Sequence, residues 1–198
     1  WIGKMIRDFE GKEKFICGGE ESFGFMTGDF VRDKDSCGSI ILACEIAAWC
    51  KANGKTMYQY MIEIYQELGM YYEGLINLVR KGRDGAEEIQ NMMKNFRENP
   101  PKEIAGSLVE EVKDFKEQTN FVVSSNEKKV MNDIPKSNVL IYYTQDGTKV
   151  CVRPSGTEPK IKFYVSVKDS VTSEADFKDK LKSLEEKINQ VKKDLQLS

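Results

Sequence analysis

The sequence contains no histidine, so imidazole general bases and His-ligated metals are excluded. It has no C-x-x-C pair, and its five cysteines (Cys17, Cys37, Cys44, Cys50 and Cys151) are an odd number. They read as reduced cytosolic thiols, mostly filling the core, and place the chain in the cytoplasm. Positive charge is not in excess: 30 Lys and Arg stand against 32 Asp and Glu, for a net charge of −2. Nucleic-acid binding needs a clustered positive field, so that class is disfavoured. No apolar run approaches a membrane span, and no signal-peptide pattern appears. Internal repeats and low-complexity tracts are also missing. The chain starts at Trp1 without an initiating Met, and reads as cut from something longer.

What is present divides into two parts. With 198 residues, 40% of them hydrophobic, the chain can bury one large core or two small ones. A short helical stretch leads into "KFICGG", a strand ending in glycines. "SCGSIILACEIAAWCKANG" reads as a buried helix, with Asp35 or Ser36 as its cap and Asn53-Gly54 as its end. Thr56 opens a second helix with Gln59 as capping-box partner, and Gly69 closes it. "LINLV" (Leu75 to Val79) reads as a strand returning to the sheet of this α/β unit. The charged, glycine-bearing "RKGRDG" is the expected boundary, giving domains 1–82 and 83–198.

The second part begins with a helix marked by Ile89, Met92, Met93 and Phe96, which stops at Pro100-Pro101. Asp146-Gly147 sits between two β-rich runs as a hairpin turn would. In "IKFYVSV", Ile161, Phe163, Val165 and Val167 alternate with more polar residues, giving one buried face. Ser173 and Asp176 cap a final helix carrying Phe177, Leu181, Leu184, Ile188, Val191 and Leu195. The fold class is therefore α/β followed by α+β, the latter an antiparallel sheet flanked by helices.

Two loops carry chemistry. "RPSGTEPK" joins two strands where an ordinary turn would serve. Arg153 offers a planar fork of charge-assisted donors suited to phosphate or carboxylate oxygens. Ser155 and Thr157 add hydroxyls, Gly156 lets the backbone approach a ligand, and consecutive N–H groups can form an anion-binding concavity. Pro154 and Pro159 stiffen the shoulders. A plain hydrophilic turn has the same composition. The other loop, "GGEESFG", follows a strand end, where α/β proteins place ligands. A carboxylate there can accept from two adjacent sugar hydroxyls, or pair with Arg32.

"GGEESFG" together with "RPSGTEPKIKFY" resembles the alpha-D-phosphohexomutase superfamily, in particular its phosphoglucomutase/phosphomannomutase branch. Both motifs stand in the family's order, and the resemblance covers nearly the whole chain. It implies a truncated sugar-binding third domain followed by a fourth domain of TATA-binding-protein-like fold. It makes Gly19, Glu20 and Ser22 the sugar-binding loop, with Lys34 reaching the substrate; Glu21 fills the variable position. Arg153, Ser155, Gly156 and Thr157 become the phosphate cradle, with Lys160 adding charge.

The resemblance further implies a parent enzyme that interconverts hexose 1- and 6-phosphates through a phosphoserine and a hexose 1,6-bisphosphate. Its Mg²⁺ would be held by a D-x-D-x-D loop in the second domain. Neither that loop nor the serine motif occurs here, so the chain is expected to be inactive alone and to partner with the absent N-terminal domains and a phosphohexose. Phosphoglucosamine mutase shares the R-P-S-G-T-E-P loop but usually has G-E-x-S-G-H at the sugar site; Phe23 and Gly24 depart from that. A phosphopentomutase, or a phosphosugar-binding module without catalysis, is the other alternative.

Overall fold

Helix starts in this protein follow capping chemistry that is local in sequence. The computed structural model describes residues 2–20, 24–80, 82–132 and 134–197. In the first unit, α1 (Ile2–Phe9) is followed by a small hairpin of β1 (Cys17–Gly19) and β2 (Phe25–Thr27). The two strands pair antiparallel, with Cys17 opposite Thr27 and Gly19 opposite Phe25. α2 (Ser36–Ala52) is capped by Asp35, whose carboxylate accepts from the Gly38 N–H at 3.1 Å. It ends at Asn53, with Gly54 left-handed at φ 68°. α3 (Met57–Leu68) opens on the expected box: the Gln59 N–H donates to Thr56 Oγ1 at 3.1 Å, and the Thr56 N–H to Gln59 Oε1 at 2.9 Å.

Two expectations fail in this unit. α2 was expected to be buried, but Cys50 is its one buried residue, and Ile40, Ile41 and Trp49 are 64%, 61% and 48% exposed. A helix apolar on every side needs cover on several sides, and a hairpin of three-residue strands is too small to supply it. The cysteines are likewise not mostly core: Cys17, Cys37 and Cys44 are exposed, and only Cys50 is fully buried.

The chain divides into two compact units within α3, between Ile64 and Tyr65. The second holds β3 (Met70–Val79), α4 (Gly82–Glu98), β4 (Glu103–Ile104), β5 (Ser107–Asp114) and β6 (Thr119–Val122). β7 (Glu127–Val130), β8 (Leu140–Thr144), β9 (Lys149–Pro154), β10 (Lys160–Asp169) and α5 (Glu174–Asp194) complete it. Its strands form one sheet in the order β3-β10-β9-β8-β5-β6-β7, with β4 beside β5 and every pairing antiparallel. β3 contains the strand expected at Leu75 to Val79. It pairs along its whole length with β10, so it belongs to the second unit and not to a sheet of the first. Composition marked a strand here, but a strand's partner is set by contacts far away in sequence.

One face of this sheet is the core. Val150, Val152, Ile161, Phe163, Val165 and Val167 are fully buried. Ile89, Met93 and Phe96 of α4 are buried with them, as are Phe177, Leu184 and Val191 of α5. The Phe96 and Phe163 rings meet edge-on at 5.7 Å, and the Tyr142 hydroxyl donates to Phe96 O at 2.8 Å. The expected Asp146-Gly147 turn joins β8 to β9, with Gly147 at φ 81°. Ser173 and Asp176 form a complete capping box on α5. No helix among the described residues is long and apolar enough to cross a membrane.

Candidate functional site

Two loops hold the expected ligand contacts, one in each unit. In the first, the β1–β2 ladder is closed by the Glu20 N–H donating to Gly24 O at 2.7 Å. The Asp35 N–H donates to Phe25 O at 2.9 Å, which ties the segment before α2 to the hairpin. Lys34 therefore runs along Gly24. A Cβ built on Gly24 would lie 2.9 Å from Lys34 Cδ and 3.0 Å from Glu20 Oε2. Glycine at that position is what lets Glu20 and Lys34 approach each other.

Electrostatics follow from that approach. The Lys34 amine is raised above its ordinary value, first by its 2.9 Å bond to Asp33 and then by the charges of Asp33 and Glu20. Asp33 is held low by the same bond. The loop thus presents a carboxylate acceptor and a protonated ammonium donor side by side. That is a pairing suited to a hydroxyl-rich ring edge. At Gly19 a Cβ would come within 3.2 Å of the Phe25 ring, so a larger residue would displace that ring. Arg32 pairs with Glu10 at 3.0 Å on the exposed surface, and among the described residues it has no bond to Glu20. Ser22, expected as a second sugar contact, lies outside the described residues, as do Glu21 and Phe23.

The second loop sits on a firmer base. β9 and β10 pair from Ser166–Lys149 to Ile161–Pro154, and the Ser155 N–H then donates to Lys160 O at 2.8 Å. Inside the loop, Ser155 Oγ accepts from the N–H of Glu158 at 3.2 Å and of Thr157 at 3.4 Å, folding the turn inward. The Arg80 N–H donates to Pro159 O at 2.9 Å and anchors the far shoulder. A Cβ on Gly156 would meet no atom within 4 Å, so the space beside its backbone is open. The Arg153 side chain is exposed and makes no hydrogen bond or ion pair among the described residues. Its planar fork is available to a ligand. Lys160 is paired with Glu158, whose carboxyl that contact lowers.

Sequence reasoning passed over Lys162. The strand register places it directly opposite Arg153 on β9 and opposite Asn77 on β3. Residues opposite each other share a face, so Arg153, Lys162 and Asn77 stand together on the side of the sheet away from the helices. The signal was available: if Ile161 and Phe163 face the core, Lys160 and Lys162 face away.

Among the described residues, no group of three or more His, Cys, Asp or Glu is placed to hold a metal ion. The resemblance assigns its Mg²⁺ to a loop of another domain. A groove of about 490 Å³ lies elsewhere on the second unit, lined by Asn91, Asn95, Asn99 and Asp194 among others. None of its lining residues is cationic, so it is not an anion site.

Comparison with known proteins bears on the family and the fold. A family model described as phosphoglucomutase/phosphomannomutase, C-terminal domain, matches residues 75–191. A second, described as phosphoglucomutase/phosphomannomutase, alpha/beta/alpha domain III, matches residues 1–68. A phosphoglucomutase of Staphylococcus haemolyticus (strain JCSC1435) is 36% identical over 167 residues, which is 84% of this chain and 30% of that protein. One from Staphylococcus aureus (strain MRSA252) is 36% identical over 168 residues, 85% of this chain and 30% of that protein. The chain thus spans 30% of the length of these relatives. The crystal structure of parafusin from Paramecium, in its open form, is similar in fold, with a TM-score of 0.56 at 16% identity. That likeness covers 98% of this chain and 31% of parafusin.

Proposed function

The chain belongs to the phosphoglucomutase/phosphomannomutase family, and from that premise we propose that it is the substrate-holding portion of an enzyme that interconverts hexose 1-phosphate and hexose 6-phosphate. The phosphoryl donor is a phosphoserine supplied by another part of the parent protein. Transfer to the free hydroxyl gives a hexose 1,6-bisphosphate, which turns around and returns its other phosphate to the serine. Throughout, one site must grip whichever phosphate is not reacting. Arg153, Ser155, Gly156 and Thr157 do this, because a guanidinium, two hydroxyls and the unfilled space at Gly156 suit phosphate oxygens whatever carbon bears them. Lys162 adds charge beside Arg153, and Lys160 does so once it is released from Glu158.

Glu20 and Lys34 hold the ring, with Ser22 as a further contact. An acceptor and a donor together can take vicinal hydroxyls from either edge, as two substrate orientations require. The chain's contribution is positioning, which supplies much of the rate in phosphoryl transfer. It carries no donor serine or metal loop of the family's kind and is inactive alone.

The observation that carries this reading is the Arg153 fork, without a hydrogen bond or ion pair among the described residues, in the same loop as the open space at Gly156. It is tested by titrating the chain with glucose 1-phosphate, followed by NMR. Arg153→Ala should weaken binding by roughly 1.5–3 kcal/mol, the worth of a charge-assisted contact. Shifts at Gly156 that persist unchanged in the variant would overturn the assignment of the cradle.

A further inference from the structure

The sheet of the second unit has two edges that differ in kind. β7, at one edge, is four residues long and carries Glu127, Lys128 and Lys129. Short, charged edges resist pairing with other strands. β3, at the opposite edge, is ten residues long with Glu73 as its one charged residue. It has no proline, and its ladder with β10 runs without a bulge from Met70 to Val79. Of the devices that blunt an edge, it has neither a lysine nor a shortened ladder.

The direction of its free backbone groups can be read from one bond. The Arg80 N–H donates to Pro159 O at 2.9 Å, one step beyond the Val79–Lys160 pair. Backbone groups alternate sides along an antiparallel strand. Even-numbered residues of β3 therefore bond β10, and Tyr71, Glu73, Leu75, Asn77 and Val79 aim their N–H and C=O groups outward. The side chains of these same residues are exposed, with Tyr71, Leu75 and Val79 at 54%, 56% and 55%.

This row is complementary to itself. We propose that β3 is a homodimer edge, pairing antiparallel with β3 of a second copy about a two-fold axis at Leu75. In that register Leu75 faces its own copy, Tyr71 faces Val79, and Glu73 faces Asn77. Apolar residues meet apolar ones, the carboxylate meets an amide donor, and no like charges oppose. Each pair exchanges two N–H···O=C bonds, so every outward group from Tyr71 to Val79 is satisfied. Shifting the axis leaves groups unpaired at the ends, and an axis at Glu73 sets two carboxylates face to face.

The axial position gives a stringent test. Sedimentation velocity of the chain from micromolar to submillimolar concentration should show a reversible monomer–dimer equilibrium. Leu75→Lys and Leu75→Glu each set like charges across the axis and should weaken dimerisation about tenfold or more. A mixture of the two variants sets lysine opposite glutamate and should restore it. Leu75 is exposed, so neither change disturbs the core, and far-UV circular dichroism melts check that. A wild-type chain that stays monomeric overturns the proposal. So does association unaffected by either variant, which would run through another surface such as α2. Two monomeric variants whose mixture stays monomeric overturn the register.

Discussion

The two loops proposed to hold sugar and phosphate are both hairpin tips, but they rest on very different supports. The sugar loop stands on strands of three residues, in a unit whose apolar helix α2 is largely exposed. The phosphate loop closes a long ladder backed by fully buried Val152, Ile161 and Phe163. One loop takes its geometry from a few local contacts, those of Gly24, Lys34 and Asp35. The other inherits it from a packed core. A grip on phosphate needs fixed donors, whereas a ring that binds in two orientations is served by contacts that can adjust.

The comparison breaks most visibly at the core. Phe163→Ala should destabilise the second unit by about 3–5 kcal/mol in urea unfolding followed by circular dichroism, because a fully buried ring is removed. A loss below about 1 kcal/mol would mean that the sheet does not depend on this core. Next come the two loop glycines. Gly24→Ala drives a Cβ into Lys34 and Glu20, and should weaken sugar-phosphate binding by about tenfold in calorimetric titration. Gly156→Ala meets nothing in the free protein, so its melting temperature should be unchanged while phosphate affinity falls. Equal loss of stability in both variants would erase the contrast between the loops.

Acid sharpens the comparison further. Burial of Asp146 alone would push its carboxyl up. Hydrogen bonds from Lys187 at 2.7 Å, Thr144 at 2.6 Å and Thr148 together outweigh this and hold it well below its ordinary 3.8. A lowered folded value stabilises the fold above the unfolded value, and that stabilisation is lost as pH falls through the folded one. Wild type should therefore exceed Asp146→Asn in stability at neutral pH. The gap should narrow progressively as pH falls below about 4. A gap independent of pH would show that the carboxylate's charge plays no part. The smallest effect is expected on α2: Ile40→Ser, at a residue 64% exposed, should change stability by no more than about 0.5 kcal/mol. A large loss there would mean that α2 is packed after all.

Several features were legible in the sequence because their causes are local. The caps at Asp35, Thr56 and Ser173 need only side chains within three residues. The Asp146-Gly147 turn and the inward alternation of Ile161, Phe163, Val165 and Val167 are of the same sort. The order of the two loop motifs likewise pointed to the family. Burial of α2 was misjudged because apolar composition reports a need for cover and not its presence. The cysteines failed for the same reason.

What the sequence determined by itself was thus the helix caps, the Asp146-Gly147 turn, the buried face of the strand from Ile161 to Val167 and the chemical types in each loop. Tertiary structure alone decided that β3 pairs with β10, that Lys162 stands across from Arg153, and that Lys34 and Glu20 meet over Gly24. Each of these joins residues distant in the chain. Period and propensity act over a few residues, whereas strand register and close approach are settled only when the whole sheet and hairpin have formed.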